Sequence, residues 1–238
     1  MSEKENGMLL MSNEFQHMVD EFFAVQCRYQ AAIRQVQTKL EILDDEYQMR
    51  FRRDPIHSIQ SRMKTIQSMM DKLRRRGQTV SIESAVENLY DIAGMRVVCS
   101  YIQDIYTVAD ALTSQDDIRV IRVRDYIKQP KANGYRSLHL VVEVPVFLST
   151  GRVLVPVEVQ IRTIAMDFWA TLEHTLRYKV AAEVPQDVSD ELLQTAWDIT
   201  ALDQRMQRIH DRVEAIIGIR DIGKPVSGGE RAGSSGEQ

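Results

Sequence analysis

Apolar residues recur every three to four positions near both ends of the chain, which is the spacing of one face of an α-helix. The first series runs from Phe15 to Tyr47, and the second runs from Leu193 through Trp197 to Ile216. Helices of this kind usually pack on a core or on another subunit. The pattern therefore predicts long helices before and after a central region.

In the central region the period of the pattern shortens to two, as in β-strands. Four segments show this alternation: residues 94–101, 118–124, 137–144 and 153–162. A helix at about 105–112 separates the first two segments, and a helix at about 163–179 follows the last. The predicted fold class is α/β (α+β), with a mixed sheet flanked by helices.

Length and composition fit one catalytic domain. The chain has 238 residues, of which 44% are hydrophobic, enough for one sizeable core. Its charged start lacks the apolar run of a secretion signal, and no stretch approaches a membrane span, so we expect a cytoplasmic protein. We predict a flexible end over 1–13, helical ends up to residue 219, and a disordered tail over 220–238, which is rich in Gly and Ser.

Neither cysteines nor most histidines suggest a metal site. Cys27 and Cys99 have no close Cys or His partner at zinc-ligand spacing, and we interpret both as ordinary buried residues. His210 lies within a predicted helix without metal-like companions. His139 lies at the start of a strand, where it is either a satisfied core histidine or a ligand contact.

Positive charge is concentrated in one segment of an acidic chain. The formal net charge is −4, yet residues 50–76 hold nine Lys or Arg against two Asp, a local charge of +7. We expect a helix starting near Arg62, with Lys64, Ser68 and Lys72 on one stripe, which suits a polyphosphate. The alternative is an exposed basic face, but that would predict interleaved glutamates for self-pairing, which are absent.

Two carboxylates stand beside strands. Asp91 lies just before the strand that contains Arg96, and alternation places Glu158, Gln160 and Arg162 on one face of the last strand. Separated carboxylates with cations nearby suit a magnesium-assisted phosphoryl transfer. Structural salt bridging is the alternative from spacing alone.

A second basic segment, residues 122–136, contains an aromatic residue, Tyr135, in a loop marked by Pro130 and Gly134. An aromatic face beside cations can stack on a nucleotide base, although a tyrosine that anchors a loop would give the same pattern.

The helix predicted at about 163–179 places Asp167, Thr171, His174 and Tyr178 on one stripe that edges a pocket, apart from Ile164, Phe168, Leu172 and Leu176. The chain contains no Walker-type phosphate loop and no dinucleotide glycine fingerprint.

Three motifs, in order, resemble the RelA/SpoT-type (p)ppGpp synthetases. They are Asp91-Ile-Ala-Gly-Met-Arg96, Lys131-Ala-Asn-Gly-Tyr-Arg-Ser-Leu-His139, and Glu158-Val-Gln-Ile-Arg-Thr163 with the helix that follows it to His174. The resemblance covers about residues 40–180. The length and the run Ala165-Met-Asp-Phe-Trp169 look most like the stand-alone small alarmone synthetases, particularly the RelP-like branch.

The resemblance implies a nucleotidyltransferase-like fold with about five strands and a role for each matching residue. Arg62 and Arg96 would sandwich adenine, and Lys64, Ser68 and Lys72 would hold the ATP phosphates. Asp91 and Glu158 would be catalytic and would coordinate Mg²⁺, and Glu158 would help to deprotonate the attacking 3′-hydroxyl. Tyr135 would stack on the guanine of the acceptor, GDP or GTP. Arg124, Lys131 and His139 would contact its phosphates, and Gln160 and Asp167 would border its guanosine.

The resemblance also implies synthesis of (p)ppGpp without hydrolysis, because only a helix precedes the region that resembles the synthetases. The expected synthetase domain, which includes the N-terminal helices, spans 14–180. Small members are typically homotetramers, and the helical segment 181–219 offers apolar stripes for such an assembly.

Asp167 departs from relatives that have Asn there, which leaves acceptor preference open. The rivals are a tRNA or adenosine-nucleotide acceptor on the same fold, and a non-catalytic RNA-binding oligomer. The pair Asp91 and Glu158 argues against the last, since each acid would repel phosphate, and RNA binding is not expected as the main role.

Overall fold

The computed structural model of the chain describes residues 3–179 and 185–217. Within these residues the strands are β1 (Ile56–Met63), β2 (Ala93–Cys99), β3 (Arg119–Asp125), β4 (Leu138–Leu148) and β5 (Gly151–Thr163). The helices are α1 (Glu3–Phe51), α2 (Ile66–Arg75), α3 (Ile82–Asn88), α4 (Ile102–Thr113), α5 (Ile164–Lys179) and α6 (Gln186–Ile217). The predicted tail over 220–238 lies outside the described residues.

The strands form one sheet in the order β1-β2-β5-β4-β3. β2 and β5 are parallel, and the other three neighbouring pairs are antiparallel. This confirms the predicted mixed sheet and adds one strand, β1, to the four that the alternation indicated. β1 escaped the pattern because its apolar residues Ile56, Ile59 and Met63 are three and four positions apart, which is helical spacing.

One face of the sheet is apolar and carries the core. Val157, Val159 and Ile161 of β5 are fully buried on this side, together with Val36 and Leu40 of α1. The stripe predicted for α1 is therefore confirmed over its described part, and α4 also packs against the sheet. Phe15 and Met18 lie in a part of α1 whose side chains the structure does not describe. α1 itself begins at Glu3, upstream of the first apolar residue of the stripe.

The predicted helix starting near Arg62 was wrong. Arg62 lies on β1, and α2 begins at Ile66 after Thr65, whose side chain accepts a hydrogen bond from the Ser68 amide at 3.2 Å. Thr65 has the extended backbone and the hydroxyl typical of a helix N-cap, which fixes the start of α2 there. Lys64 consequently extends from the junction of strand and helix.

The apolar stripe of α5 is exposed: Ile164, Phe168, Leu172 and Leu176 are each about half accessible. Met166, Trp169 and Ala170 are the buried apolar residues in the described part of this helix. Because α5 follows β5 without a loop, the direction in which β5 ends determines which residues of α5 contact the sheet. α6 is exposed in the same way, along Trp197, Leu202, Met206, Ile209, Val213 and Ile216.

α6 is attached to the domain mainly by polar contacts. Thr163 donates a hydrogen bond to the buried Asp203 at 2.6 Å, and the Trp169 indole donates to the carbonyl of Leu192 at 3.0 Å. Near the far end, the His210 ring stacks on Tyr101 with centroids 4.0 Å apart. His210 is thus part of a structural junction between α6 and the start of α4.

The interpretation of both cysteines as buried was half right. Cys99 is buried in β2, and burial raises the pKa of its thiol. Cys27 is exposed, because it lies on the side of α1 opposite the buried residues Val25 and Tyr29. None of the described helices is both long enough and apolar enough to cross a membrane.

Candidate functional site

The second face of the sheet is polar, and strand register gathers its functional residues into one row. Arg124 of β3 pairs with His139 of β4, His139 with Gln160 of β5, and Gln160 with Arg96 of β2. Paired residues on neighbouring strands project to the same face. Four of the predicted site residues therefore lie side by side across the sheet.

The next row on the same face, two residues further along, contains Arg62, Gly94 and Glu158. Gly94 has no side chain, so the Arg62 side chain crosses directly above it: a Cβ added at Gly94 would meet Arg62 Cγ at 3.5 Å. This brings the Arg62 side chain over β2, where Arg96 also projects. Both arginines line one small cavity of about 100 Å³ together with Gln160.

Asp91 is the centre of a cationic cluster. Its Oδ2 accepts hydrogen bonds from Lys72 at 2.5 Å and from Lys64 at 2.9 Å. Burial by itself would raise the pKa of Asp91, but these two ammonium groups outweigh it and hold the pKa below its ordinary value. Asp91 is therefore a carboxylate at neutral pH. Its other oxygen, Oδ1, is buried without a hydrogen-bond partner among the described residues.

Glu158 lies on β5, the strand that pairs with β2, and lines one cavity together with Asp91. Burial would raise its pKa, but contacts with His139, whose Nδ1 is 3.6 Å from Oε1, and a 2.9 Å hydrogen bond from Gln160 Nε2 to Oε2 lower it overall. The Asp91 charge has a smaller, opposite effect. Glu158 is consequently ionised at neutral pH as well.

The cavity that both carboxylates line has a volume of about 250 Å³ and is bordered by Lys72, Arg124 and His139. Two hard carboxylate oxygens, one of them buried and unsatisfied, are the ligand type that Mg²⁺ prefers in proteins. The described residues include no group of three or more His, Cys, Asp or Glu close enough to hold a metal. The residues present therefore fit a magnesium ion held by two carboxylates.

The loop between β3 and β4 presents Tyr135. Its hydroxyl lies 2.8 Å from His139 Nε2, and its ring has Lys131 Nζ 4.7 Å from the centroid. Gly134 adopts a φ of +87°, and a Cβ there would meet the Ala196 Cβ at 2.5 Å. The loop therefore lies directly on α6 at a position that requires glycine.

A larger cavity of about 410 Å³ lies beside Tyr135. It is bordered by residues from the sheet, from the loop and from α5: Arg62, Arg96, Lys131, Asn133, Tyr135, His139, Gln160, Arg162, Ala170, Thr171, Glu173, His174 and Thr175. Thr171 and His174 confirm the prediction that one stripe of α5 edges a pocket. Asp167, on the same stripe, is bound to Arg96 Nε at 3.3 Å and to Arg162 at 3.2 Å.

The structure thus brings most of the predicted site residues to the polar side of the sheet. Ser68 is exposed on α2, one turn before Lys72, and its hydroxyl contacts Thr65 rather than a residue of these cavities. Sequence reasoning missed the functional position of Arg162, although alternation had placed it on the polar face of β5. It also missed Arg122, whose guanidinium lies 5.3 Å from the ring centroid of Tyr90 and which lines the cavity of the two carboxylates. The basic composition of 122–136 was the available signal for Arg122.

Comparison with known proteins gives consistent results. The sequence model of the region found in RelA / SpoT proteins matches residues 61–183. The GTP pyrophosphokinase YwaC of Bacillus subtilis is 43% identical over 186 residues, which cover 78% of this chain and 89% of that protein. Two crystal structures are also similar. The small alarmone synthetase 1 of B. subtilis bound to its product pppGpp has a TM-score of 0.75 at 35% identity, covering 81% of this chain and 98% of that one. The same synthetase bound to AMPCPP has a TM-score of 0.70 at 32% identity, covering 82% and 99%.

Proposed function

The chain belongs to the RelA/SpoT family, and we propose that it is a small alarmone synthetase that transfers the pyrophosphate of ATP to the 3′-hydroxyl of GDP or GTP. The products are (p)ppGpp and AMP. The observation that carries this proposal is the pair Asp91 and Glu158, two ionised carboxylates that face one cavity between two clusters of cations. The relatives named for GTP pyrophosphorylation, and the related structure bound to pppGpp, support the identity of the acceptor.

In the proposed reaction the 3′-oxygen of the guanosine nucleotide attacks the β-phosphorus of ATP. The bond from that phosphorus to the oxygen bridging the α- and β-phosphates breaks, AMP leaves with this oxygen, and the hydroxyl proton passes to a base or to water. A transfer of this kind depends on positioning and on neutralising phosphate charge, and needs no covalent enzyme intermediate.

ATP would bind on the side of β1 and α2. Arg62 and Arg96 border one small cavity and would enclose the adenine ring between their planar guanidinium groups. Lys64 and Lys72 would turn from Asp91 to the phosphates, with the hydroxyl of Ser68 nearby on α2. The AMPCPP-bound relative supports an adenine nucleotide as one of the two substrates.

The acceptor would bind on the side of the β3–β4 loop. The Tyr135 ring would stack on guanine, and Gln160 and Asp167 would contact the guanosine. Arg124 lines the cavity of the two carboxylates, and Lys131 lines the larger cavity beside Tyr135, so each adds positive charge there. His139 lines both cavities. A 5′-diphosphate or triphosphate is the ligand that such a set of cations would neutralise.

Mg²⁺ is the proposed cofactor, held by Asp91 and Glu158, and it would neutralise charge on the reacting phosphates. The lowered pKa of Glu158 makes this carboxylate a good metal ligand but a weak base. We therefore assign Glu158 mainly to metal binding and to orienting the 3′-hydroxyl, and only secondarily to accepting its proton.

We also propose that the protein is a homotetramer in the cytoplasm, where its nucleotide substrates are available. The exposed apolar residues of α5 and α6 support an assembly, because Phe168, Leu172 and Leu176 on one helix and Leu202 and Met206 on the other are about half accessible. Apolar surfaces of this extent usually mark an interaction site.

The test is incubation of the purified protein with ATP labelled in its β- and γ-phosphates, Mg²⁺ and each of GDP, GTP, AMP and tRNA, followed by chromatography. We expect labelled ppGpp from GDP and pppGpp from GTP, and none from Glu158→Gln. Glu143→Gln, a partner of Arg119 on the neighbouring strand, is the matched control and should retain activity. Label on tRNA or on an adenosine nucleotide alone would contradict the assigned acceptor.

A further inference from the structure

Arg162 is buried at the end of β5, with 4% of its surface exposed, although it carries a full positive charge. One carboxylate, Asp167, lies at 3.2 Å from its Nη1. A buried guanidinium is costly unless nearly all of its N–H groups are hydrogen-bonded. Its other contacts explain why a planar, five-donor group occupies this position.

The guanidinium of Arg162 contacts Tyr135 and Gln160, which line the larger cavity, and Asp167, which is also paired with Arg96 of the same lining. Nη2 donates to Tyr135 Oη at 2.6 Å and to Gln160 Oε1 at 2.7 Å, while Nη1 donates to Asp167 Oδ1. The Nε donates to Ser137 Oγ at 3.4 Å, which links the fork to the residue just before β4. No lysine could make these contacts, because an ammonium group is a single point with no fixed fork.

The contact with Gln160 determines which way its amide points. Arg162 can only donate and the Glu158 carboxylate can only accept, so the Gln160 oxygen must face Arg162 and its nitrogen must face Glu158. The 2.9 Å hydrogen bond from Gln160 Nε2 to Glu158 Oε2 completes this chain. Arg162 is therefore connected through one side chain to a proposed catalytic carboxylate.

The contact with Tyr135 fixes the orientation of its ring. The hydroxyl is held on one side by Arg162 and on the other by His139 Nε2 at 2.8 Å, and the Arg162 guanidinium carbon lies 5.1 Å from the ring centroid. A ring held at both its hydroxyl and its face loses little further freedom when a base stacks on it.

We propose that Arg162 is a positioning residue for the acceptor: its buried fork holds Tyr135, Gln160 and Asp167 in the arrangement that receives the guanosine. This inference rests on the proposed function, since it assigns these three residues to a guanosine site. It adds a residue that acts through these three partners and whose loss would affect one substrate more than the other.

The test is the steady-state kinetics of Arg162→Lys, with ATP and the guanosine nucleotide varied separately. We expect KM for GDP and GTP to rise at least tenfold and KM for ATP to change less than twofold. A purely structural role would impair both substrates together. Arg152→Lys, at an exposed arginine near the start of the same strand, is the matched control and should leave both constants unchanged.

A second variant, Tyr135→Phe, keeps the ring and Arg162 but removes the tethered hydroxyl, and it remains informative if Arg162→Lys does not fold. We expect it also to raise KM for the acceptor and not for ATP, and we expect the effects of the two variants to be non-additive when combined. Equal changes in both KM values for Arg162→Lys, or an unchanged acceptor KM for Tyr135→Phe, would overturn the inference. Wild-type protein that makes no (p)ppGpp would instead contradict the proposed function itself.

Discussion

Lys72 Nζ lies 2.5 Å from Asp91 Oδ2, and Lys64 contacts the same oxygen at 2.9 Å. The carboxylate proposed to bind the metal thus neutralises the two ammonium groups proposed to bind the ATP phosphates. In the proposed ternary complex both lysines would turn from Asp91 to phosphate oxygens, and Asp91 would be left to hold the metal. Binding of the metal and binding of ATP would therefore favour each other.

The substitution Asp91→Asn should distinguish two roles of Asp91: holding the metal, and competing with ATP for the two lysines. Loss of the carboxylate removes a metal ligand, so we expect the rate of (p)ppGpp synthesis to fall on the order of 100-fold or more. Loss of the competing charge makes Lys64 and Lys72 available, so the affinity for ATP measured by calorimetry in EDTA should rise about three- to tenfold, the scale of one partly exposed ion pair.

Asp71→Asn provides the matched control on α2, because Asp71 forms an exposed ion pair with Arg74 and does not contact either lysine. It should alter neither quantity. Unchanged or weaker metal-free ATP binding by Asp91→Asn would mean that the two lysines do not exchange partners as described.

Strand alternation was sufficient to predict the polar face of β5 and the buried face behind it, since a period of two is a local property of the chain. Glu158 and Gln160 were identified in this way, and Asp91 was identified from its position before a strand. Register is not local. The row that joins Arg124, His139 and Gln160 depends on which strands pair and how they align, which no spacing within one segment determines.

Helical spacing of apolar residues was ambiguous in two places. The helix predicted to start near Arg62 was placed too early, because Met63 of β1 continues the helical spacing of the apolar residues of α2. The apolar stripe of α5 is exposed, which its spacing does not reveal, because a stripe on the surface and a stripe that meets the core give the same pattern. Arg162 was placed on the correct face but its role was missed, since the hydroxyl it holds is 27 positions away in the sequence.

The acceptor loop should be sensitive to its contact with α6. Gly134→Ala places a Cβ 2.5 Å from that of Ala196 at a φ of +87°, so we expect a loss of about 2–4 kcal/mol in the free energy of unfolding and a raised KM for the acceptor. Gly77→Ala, at φ +65° with no atom within 4 Å of the added Cβ, should cost only about 1–2 kcal/mol and leave KM unchanged. Equal effects of both substitutions in urea unfolding and kinetics would show that α6 does not support the loop.

The exposed stripe of α5 should be an assembly surface. Phe168→Glu would place a charge in an apolar contact, so we expect the oligomer to dissociate at concentrations at which the wild type remains assembled, with the dissociation constant raised about tenfold or more. Light scattering after size-exclusion chromatography measures this. Phe147→Glu, at an equally exposed phenylalanine near the β4–β5 turn, is the control and should not change the mass. A monomeric wild type would exclude the proposed tetramer.

Tyr29 should limit the stability of the fold at alkaline pH. It is 2% exposed in the α1 core, and burial raises its pKa from 10.0 to about 12. Since the folded pKa lies above the unfolded one, the neutral phenol contributes stability that is fully present below pH 10 and is lost as the pH rises through about 12. Two pKa units correspond to about 2–3 kcal/mol, so the free energy of unfolding, measured in urea at pH 9 and pH 12, should fall less in Tyr29→Phe than in the wild type by about this amount. Tyr126→Phe, at a partly exposed tyrosine outside the core, controls for the substitution itself. An equal pH dependence in Tyr29→Phe and the wild type would show that the Tyr29 phenol is not buried as described.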